Sequence, residues 1–273
     1  MTTLTVETGD GAVLKVRRQG SGAPVVLVSG LGGTAGFWDP VIARLQDRFE
    51  LITFDQRGIA GSTRGSAPLN IAQLARDVLT ICDALELTRA AFLGHSTGGC
   101  IVQTIAATAP ERVERLALSA AWLKPGNYLT ALFEFRLGLL HRDPKAYAES
   151  AALLSYAPGW LESHWDKYER ATANPPADPE TQAIVAERIR ALLGFDGSDQ
   201  IGAVTAETTI IGAQDDMIVP AFLQQELARH LPGAALRMLP DGGHFYPASR
   251  TDAFVAIMTD WLDAPLTSER TER

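Results

Sequence analysis

The sequence of 273 residues predicts an α/β fold: a mostly parallel central sheet with helices on both faces and an inserted helical cap. Three observations predict it. Short apolar, β-rich runs alternate with longer helical patterns along most of the chain. Several of those runs are apolar throughout or nearly so, which is typical of parallel strands covered on both faces. Residues 122–200 instead show helical apolar spacing without a strand-like run.

Seven short apolar runs satisfy the strand criteria, and a turn or a helical pattern follows each of them. Because 46% of the residues are hydrophobic, the chain can bury a large core around this sheet. The predicted strands are Leu14–Val16, Val25–Ser29, Leu51–Phe54, Ala91–Leu93, Arg115–Leu118, Thr208–Ile211 and Leu236–Met238.

The helices of the core are predicted from apolar residues at a 3.6-residue period. Asn70 is placed to cap the second of them, and Asp252 is placed to help start the last. The predicted core helices are Pro40–Leu45, Ile71–Leu85, Gly98–Ala109, Pro220–His230 and Asp252–Leu262.

Residues 122–200 interrupt the alternation of strands and helices. This stretch is rich in aromatic residues and contains a turn at Asn174-Pro175-Pro176. We interpret it as a helical cap inserted between two strands of the sheet. The predicted core therefore comprises residues 1–121 and 201–265, and residues 266–273 form a polar tail.

A serine nucleophile is predicted at Ser96, within the sequence Gly94-His95-Ser96-Thr97-Gly98. An apolar run precedes this G-x-S-x-G motif and a helical pattern of small residues follows it. A serine on a sharp turn between a buried strand and a helix is a nucleophile elbow. The glycines fit because the turn needs strained backbone angles. The strand and the helix also approach too closely there for larger side chains.

A serine hydroxyl needs an adjacent base, and the base needs an orienting acid. Asp215 and Asp216 follow the Thr208–Ile211 run, where a carboxylate faces the ligand crevice of such a sheet. We predict Asp216 as the acid from its resemblance to hydrolases of this kind, which usually place the acid four residues before a proline, here Pro220. Asp215 is the alternative; its structural interpretation is a turn residue that binds nearby amides.

The base is predicted at His244, because the two preceding glycines allow a loop to bring this histidine back over the elbow. His95 adjoins the serine, but side chains of neighbouring elbow residues are expected to diverge. A histidine exposed on a loop is the alternative interpretation of His244.

The oxyanion of a tetrahedral intermediate requires backbone N–H donors. One is expected from Thr97, directly after the nucleophile, and the other from Leu31 in the glycine-rich segment Ser29-Gly30-Leu31-Gly32-Gly33. Those glycines could otherwise simply form a tight turn. The segment fits neither a dinucleotide-binding motif nor a phosphate-binding loop.

Together these motifs resemble the α/β-hydrolase superfamily over about residues 2–265. The resemblance is carried by residues 29–33, Asp55-Gln56-Arg57-Gly58, residues 94–98, residues 216–220 and Gly243-His244. Ser29 departs from the family, which most often has histidine there. Within the superfamily the chain resembles RutD-type hydrolases, proposed to act on aminoacrylate or carbamate, and 3-oxoadipate enol-lactonases.

The predicted function is hydrolysis of a small carbonyl substrate, such as an ester, lactone, amide or carbamate, through an acyl-enzyme on Ser96. A specific lactonase and a ligand-sensing receptor on a hydrolase scaffold are the alternatives. Arg136 or Arg57 could bind a substrate carboxylate, although Arg57 lies in a turn that is common in hydrolases of uncharged substrates. The predicted substrate-binding residues are Gly30, Trp38, Trp122, Phe133, Arg136 and Trp165.

Composition excludes several other classes of protein. The net charge of −8 and the absence of a basic cluster argue against nucleic-acid binding. No apolar stretch is long enough to span a bilayer, and the amino terminus lacks the pattern of a signal peptide. The two cysteines show no metal-ligand spacing. We therefore expect a cytoplasmic monomer or homodimer that uses neither metal nor cofactor.

Overall fold

The computed structural model describes residues 1–265, so the predicted tail at residues 266–273 lies outside the described residues. Its centre is an eight-stranded sheet with the strand order β1-β2-β4-β3-β5-β6-β7-β8. The strands are β1 Thr2–Glu7, β2 Val13–Gln19, β3 Ala23–Val28, β4 Phe49–Phe54, β5 Ala90–His95, β6 Val113–Ser119, β7 Glu207–Ala213 and β8 Ala235–Leu239.

Strands β3 to β8 are parallel to one another, whereas β2 runs antiparallel to both β1 and β4. All six residues of β5 are buried, as expected for a parallel strand covered on both faces. The seven predicted runs correspond to β2–β8. Strand β1 was missed because it lies at the edge of the sheet and only Val6 of its residues is buried, which leaves no apolar run in the sequence.

The predicted core helices form with shifts of at most one residue at their ends. They are α1 Asp39–Leu45, α2 Ile71–Ala84, α3 Thr97–Thr108, α9 Ala221–His230 and α11 Thr251–Asp263, and a short helix, α10, spans Tyr246–Ser249. The side chain of Asn70 caps α2 by accepting from the amide of Gln73 at 2.8 Å, as predicted. Asp252 lies in the first turn of α11, but Arg250 occupies the capping position.

The segment between β6 and β7 contains five α-helices and no strand. The helices are α4 Asn127–Arg142, α5 Pro144–Ser155, α6 Pro158–Ser163, α7 Trp165–Thr172 and α8 Pro179–Leu193. Helix α4 packs against α5 and α8, and α5 packs against α7. The helical character of this segment agrees with the sequence, whereas the exact limits of a cap at residues 122–200 stay a prediction. Within residues 1–265, no helix is both long and apolar enough to cross a bilayer.

Candidate active site

Ser96 lies on the turn between β5 and α3, in a backbone conformation that is rare for residues with a side chain. Its φ is +57° and its ψ is −125°. The turn is held on both sides: the amide of Ser96 donates to the carbonyl of Ser119 at 2.7 Å, and the amide of Gly99 donates to the carbonyl of Ser96 at 2.8 Å. Such strain persists only where the surrounding structure enforces it, and it concentrates at functional sites.

The two glycines of the motif are required by close approaches of backbone. A Cβ atom on Gly94 would lie 2.1 Å from the carbonyl oxygen of Gly98. One on Gly98 would lie 2.1 Å from the carbonyl oxygen of Val28, in the neighbouring strand β3. The G-x-S-x-G pattern therefore reflects how tightly α3 starts against the sheet.

Asp216 and His244 form a buried pair at the ends of neighbouring strands. Asp216 follows β7 and His244 follows β8, and the Nδ1 atom of His244 lies 2.8 Å from Oδ2 of Asp216. The other carboxylate oxygen, Oδ1, accepts from the amides of Ile218 and Val219, each at 2.8 Å. The carboxylate is thus oriented from three sides, and it faces one nitrogen of the histidine ring.

Asp215, the alternative acid, has a different contact. Its carboxylate accepts from the amide of Gly242 at 3.2 Å and from the amide of Gly243 at 2.9 Å. These glycines directly precede His244. Asp215 therefore holds the loop that carries the histidine, while Asp216 contacts the histidine ring.

The side chain of His95 was expected to diverge from the site, but it lies beside His244. Its ring centroid lies 4.9 Å from that of His244, and its Nδ1 atom lies 2.9 Å from Oγ of Ser119. That hydroxyl lies 2.6 Å from the hydroxyl of Tyr246, which donates to the carbonyl of Ile211. Burial lowers the pKa of His95 well below its ordinary value, and the nearby His244 lowers it further. A neutral His95 therefore packs beside His244.

The predicted oxyanion donors lie on two segments next to Ser96. A Cβ atom on Gly30 would lie only 2.9 Å from Cβ of Ser96, so the backbone of Gly30, directly before Leu31, passes beside the serine. Thr97 is the first residue of α3, and its amide has no acceptor within that helix.

A cavity of about 810 Å³ lies between this site and the helices that connect β6 to β7. Leu31, Ser96 and His244 line it from the sheet side. Helices α4, α5 and α8 complete the cavity, with Tyr147 and Val185 among their lining residues. Most of the lining is apolar, as in typical small-molecule sites.

Of the six predicted substrate-binding residues, Gly30, Phe133 and Arg136 line this cavity. The three tryptophans do not. Trp38 and Trp122 are fully buried in the core, and Trp165 is about half exposed and stacks on Tyr168. The sequence shows that these residues are aromatic, but not whether each side chain faces the cavity, the core or the solvent. The aromatic walls are Phe37, Phe133, Tyr147, Tyr156 and Phe245.

Arg136 projects from α4 into the cavity as a buried cation without a carboxylate partner. It is 5% exposed, and within residues 1–265 no acidic group lies in salt-bridge distance and Nε has no hydrogen-bond partner. Its guanidinium carbon lies 4.8 Å from the ring centroid of Tyr147 and 5.4 Å from that of Phe133. Burial lowers the pKa of Arg136.

Arg57, the other candidate for binding a carboxylate, is already paired. Its guanidinium is fully buried and binds the carboxylates of Asp77 and Asp10, with the closest contacts at 2.5 and 2.8 Å. Arg57 therefore has a structural role away from the cavity. Within the described part of the chain, no group of three histidine, cysteine or acidic side chains is arranged to hold a metal ion.

Comparison with known proteins identifies the family. The profile of the alpha/beta hydrolase fold matches residues 23–248. The chain belongs to the α/β-hydrolase family. Two relatives named RutD, with a proposed carbamate hydrolase activity, are 34% and 36% identical. The one from Azorhizobium caulinodans aligns over 90% of this chain and 93% of its own, and the one from Variovorax paradoxus over 91% and 94%.

Solved structures agree with this assignment. A hydrolase from Pseudomonas aeruginosa PA01 superimposes with a TM-score of 0.86 at 28% identity, covering 96% of this chain and 98% of its own. The enol-lactonase from Burkholderia xenovorans LB400 superimposes with a TM-score of 0.85 at 24% identity, covering 96% and 100%. At that lower identity the likeness shows the fold alone.

Proposed function

We propose that this α/β-hydrolase is a serine hydrolase, which cleaves an ester, lactone, amide or carbamate through an acyl-enzyme on Ser96. One observation carries the proposal: the strained Ser96 and the Asp216-paired His244 line the same cavity. A buried nucleophile beside an oriented base is the arrangement that acyl transfer requires.

In the proposed reaction, Oγ of Ser96 attacks the substrate carbonyl carbon while Nε2 of His244 takes the hydroxyl proton. Asp216 stabilises the resulting imidazolium, and the amides of Leu31 and Thr97 bind the oxyanion. The tetrahedral intermediate then expels the leaving group, which receives the proton from His244. Water, activated by the same histidine, hydrolyses the ester on Ser96 and restores the free hydroxyl.

The position of Arg136 favours a substrate that carries a carboxylate in addition to the scissile carbonyl. A guanidinium that is buried without an acidic partner is costly, and the rings of Phe133 and Tyr147 offset only part of that cost. A substrate carboxylate would supply the missing partner through charge-assisted hydrogen bonds. The cavity of about 810 Å³ far exceeds the volume of carbamate itself. We therefore propose a larger acyl substrate with an apolar portion and one anionic end.

Replacement of the nucleophile tests the reaction. Ser96→Ala should abolish turnover of 4-nitrophenyl esters and labelling by a fluorophosphonate, while the thermal unfolding curve stays cooperative. The matched control is Ser163→Ala, an exposed serine on α6, which should behave as the wild-type protein. Wild-type turnover in Ser96→Ala would refute the proposal, and a single slow cycle in the wild-type protein would favour a receptor.

A matched pair of substrates tests the anionic end. Arg136→Leu should lower kcat/KM for 4-nitrophenyl hydrogen glutarate about ten- to 150-fold, since a hydrogen bond to a charged group contributes about 1.5–3 kcal/mol. The methyl ester of the same compound lacks the charge and should be hydrolysed as well as before. Arg142→Leu, at the exposed end of the same helix, is the control. Equal losses on both substrates would contradict this role of Arg136.

A further inference from the structure

Arg188 is a second buried arginine without a carboxylate partner, and its acceptors lie on the proposed oxyanion loop, residues 29–33. It projects from α8, and its Nε donates to the carbonyl of Leu31 at 2.8 Å. One terminal nitrogen, Nη2, donates to the carbonyl of Gly30 at 3.2 Å and to Oε1 of Gln56 at 2.7 Å. The other, Nη1, is buried and has no hydrogen-bond partner within residues 1–265.

Gln56 completes the set of contacts that hold the carbonyl groups of this loop. Its side-chain amide donates to the carbonyl of Ser29 at 2.7 Å, and its backbone amide donates to the carbonyl of Gly33 at 2.8 Å. The carbonyls of Gly30 and Leu31 are bound by Arg188. Four of the five carbonyls in the loop are therefore held by two side chains and one backbone amide.

Peptide geometry links these carbonyls to the oxyanion donor. In a planar trans peptide, the C=O of one residue and the N–H of the next point in opposite directions. The bond from Arg188 to the carbonyl of Gly30 therefore turns the N–H of Leu31 away from the arginine. The backbone of Gly30 packs directly against Ser96, so this peptide lies at the nucleophile. A charged donor on the carbonyl side also polarises the peptide and strengthens its N–H as a donor.

The chemistry of Arg188 does not fit a role in stability alone. Burial lowers its pKa to about 10, so the group stays charged at neutral pH. All of its acceptors are neutral, and a buried cation without an anionic partner costs stability. A neutral side chain that filled the same space would cost less.

We propose that Arg188 is a positioning residue that holds the oxyanion loop from the helical segment between β6 and β7, so that the amide of Leu31 faces the reacting carbonyl. This inference rests on the proposed nucleophilic role of Ser96. Thr181 and Val185 lie seven and three residues before Arg188 on α8, on the same face of the helix, and line the cavity. The helix face that meets substrate is thus the face that fixes the oxyanion donor.

The test separates binding from transition-state stabilisation. Arg188→Met should lower kcat on 4-nitrophenyl butyrate by on the order of 10²–10³, the usual cost of a lost oxyanion donor, with KM within about threefold. The inhibition constant of butylboronic acid, which forms a tetrahedral adduct on serine, should rise by a similar factor. Inhibition by butyrate, the product, should stay unchanged, which a general loosening of the cavity would not allow.

Two further variants make the outcome decisive. Arg188→Lys keeps the charge but not the fork of donors, so it should lose at least about tenfold in kcat even if the Met variant fails to fold. Arg190→Met, exposed on the same helix, should retain wild-type kcat. If Ser96→Ala is inactive but Arg188→Lys keeps kcat within about twofold, only the positioning role is overturned. If Ser96→Ala keeps its activity, the proposed function fails and this inference fails with it.

Discussion

Replacing Asp216 by asparagine should invert the tautomer of His244 without changing the shape of the site. Oδ1 of Asp216 accepts from the amides of Ile218 and Val219, each at 2.8 Å. The oxygen of an asparagine amide must occupy that position, because only an oxygen can accept from these donors. The NH₂ group then faces Nδ1 of His244 and donates to it, which leaves the ring proton on Nε2. With that proton in place, the histidine cannot accept the hydroxyl proton of Ser96.

The expected loss in kcat is about 10⁴-fold, or about 5.5 kcal/mol in the activation barrier. Asp215→Asn is the matched comparison. Its amide can still accept from one of the two glycine amides, so the expected cost is about 0.5–1.5 kcal/mol in the free energy of unfolding and at most about tenfold in kcat. Steady-state turnover of a 4-nitrophenyl ester gives kcat for each variant, and urea unfolding gives the free energy of unfolding. Equal losses in kcat for the two variants, or more than a tenth of wild-type activity in Asp216→Asn, would contradict the proposed role of Asp216 in orienting His244.

Two further predictions concern groups outside the site. The bonds from Arg57 hold the pKa of Asp10 well below its ordinary value, so the stabilisation by this ion pair is complete above about pH 4 and is lost as the pH falls. Urea unfolding should therefore show Asp10→Asn less stable than wild type at pH 7, with the difference narrowing below about pH 4; a constant difference would contradict this. Burial raises the pKa of Cys82 to about 12 and that of Cys100 well above its ordinary value. Ellman's reagent should therefore leave the native protein unlabelled and should titrate both thiols in denaturant, whereas fast native labelling would show an accessible thiolate.

The sequence predicted those features of the fold that depend on neighbouring residues. Strands β3–β7 were found because parallel strands in the middle of a sheet are apolar on both faces. The turn at Ser96 was found because its G-x-S-x-G motif spans only five residues, although the contact that requires Gly98 comes from Val28 in β3. Strand β1 was missed because an edge strand with one buried residue, Val6, lacks that pattern.

Features that depend on distant contacts were harder to predict. Trp38, Trp122 and Trp165 were expected at the cavity, but an aromatic residue fits the core or the surface equally well. His95 was expected to point away from the site, but its ring packs against that of His244, which is distant in the sequence. Nothing in the sequence near Arg188 indicates its contacts with the loop at residues 29–33, since they arise only when α8 packs over the sheet.

Trapping the covalent intermediate tests the proposed acyl-enzyme on Ser96. The protein is mixed with an excess of 4-nitrophenyl butyrate, quenched in acid during turnover, and analysed by intact mass and peptide mapping. We expect a single butyryl adduct, located on Ser96 and absent in Ser96→Ala. Hydrolysis that proceeds at full rate without any adduct, or with an adduct on another residue, would contradict the proposal.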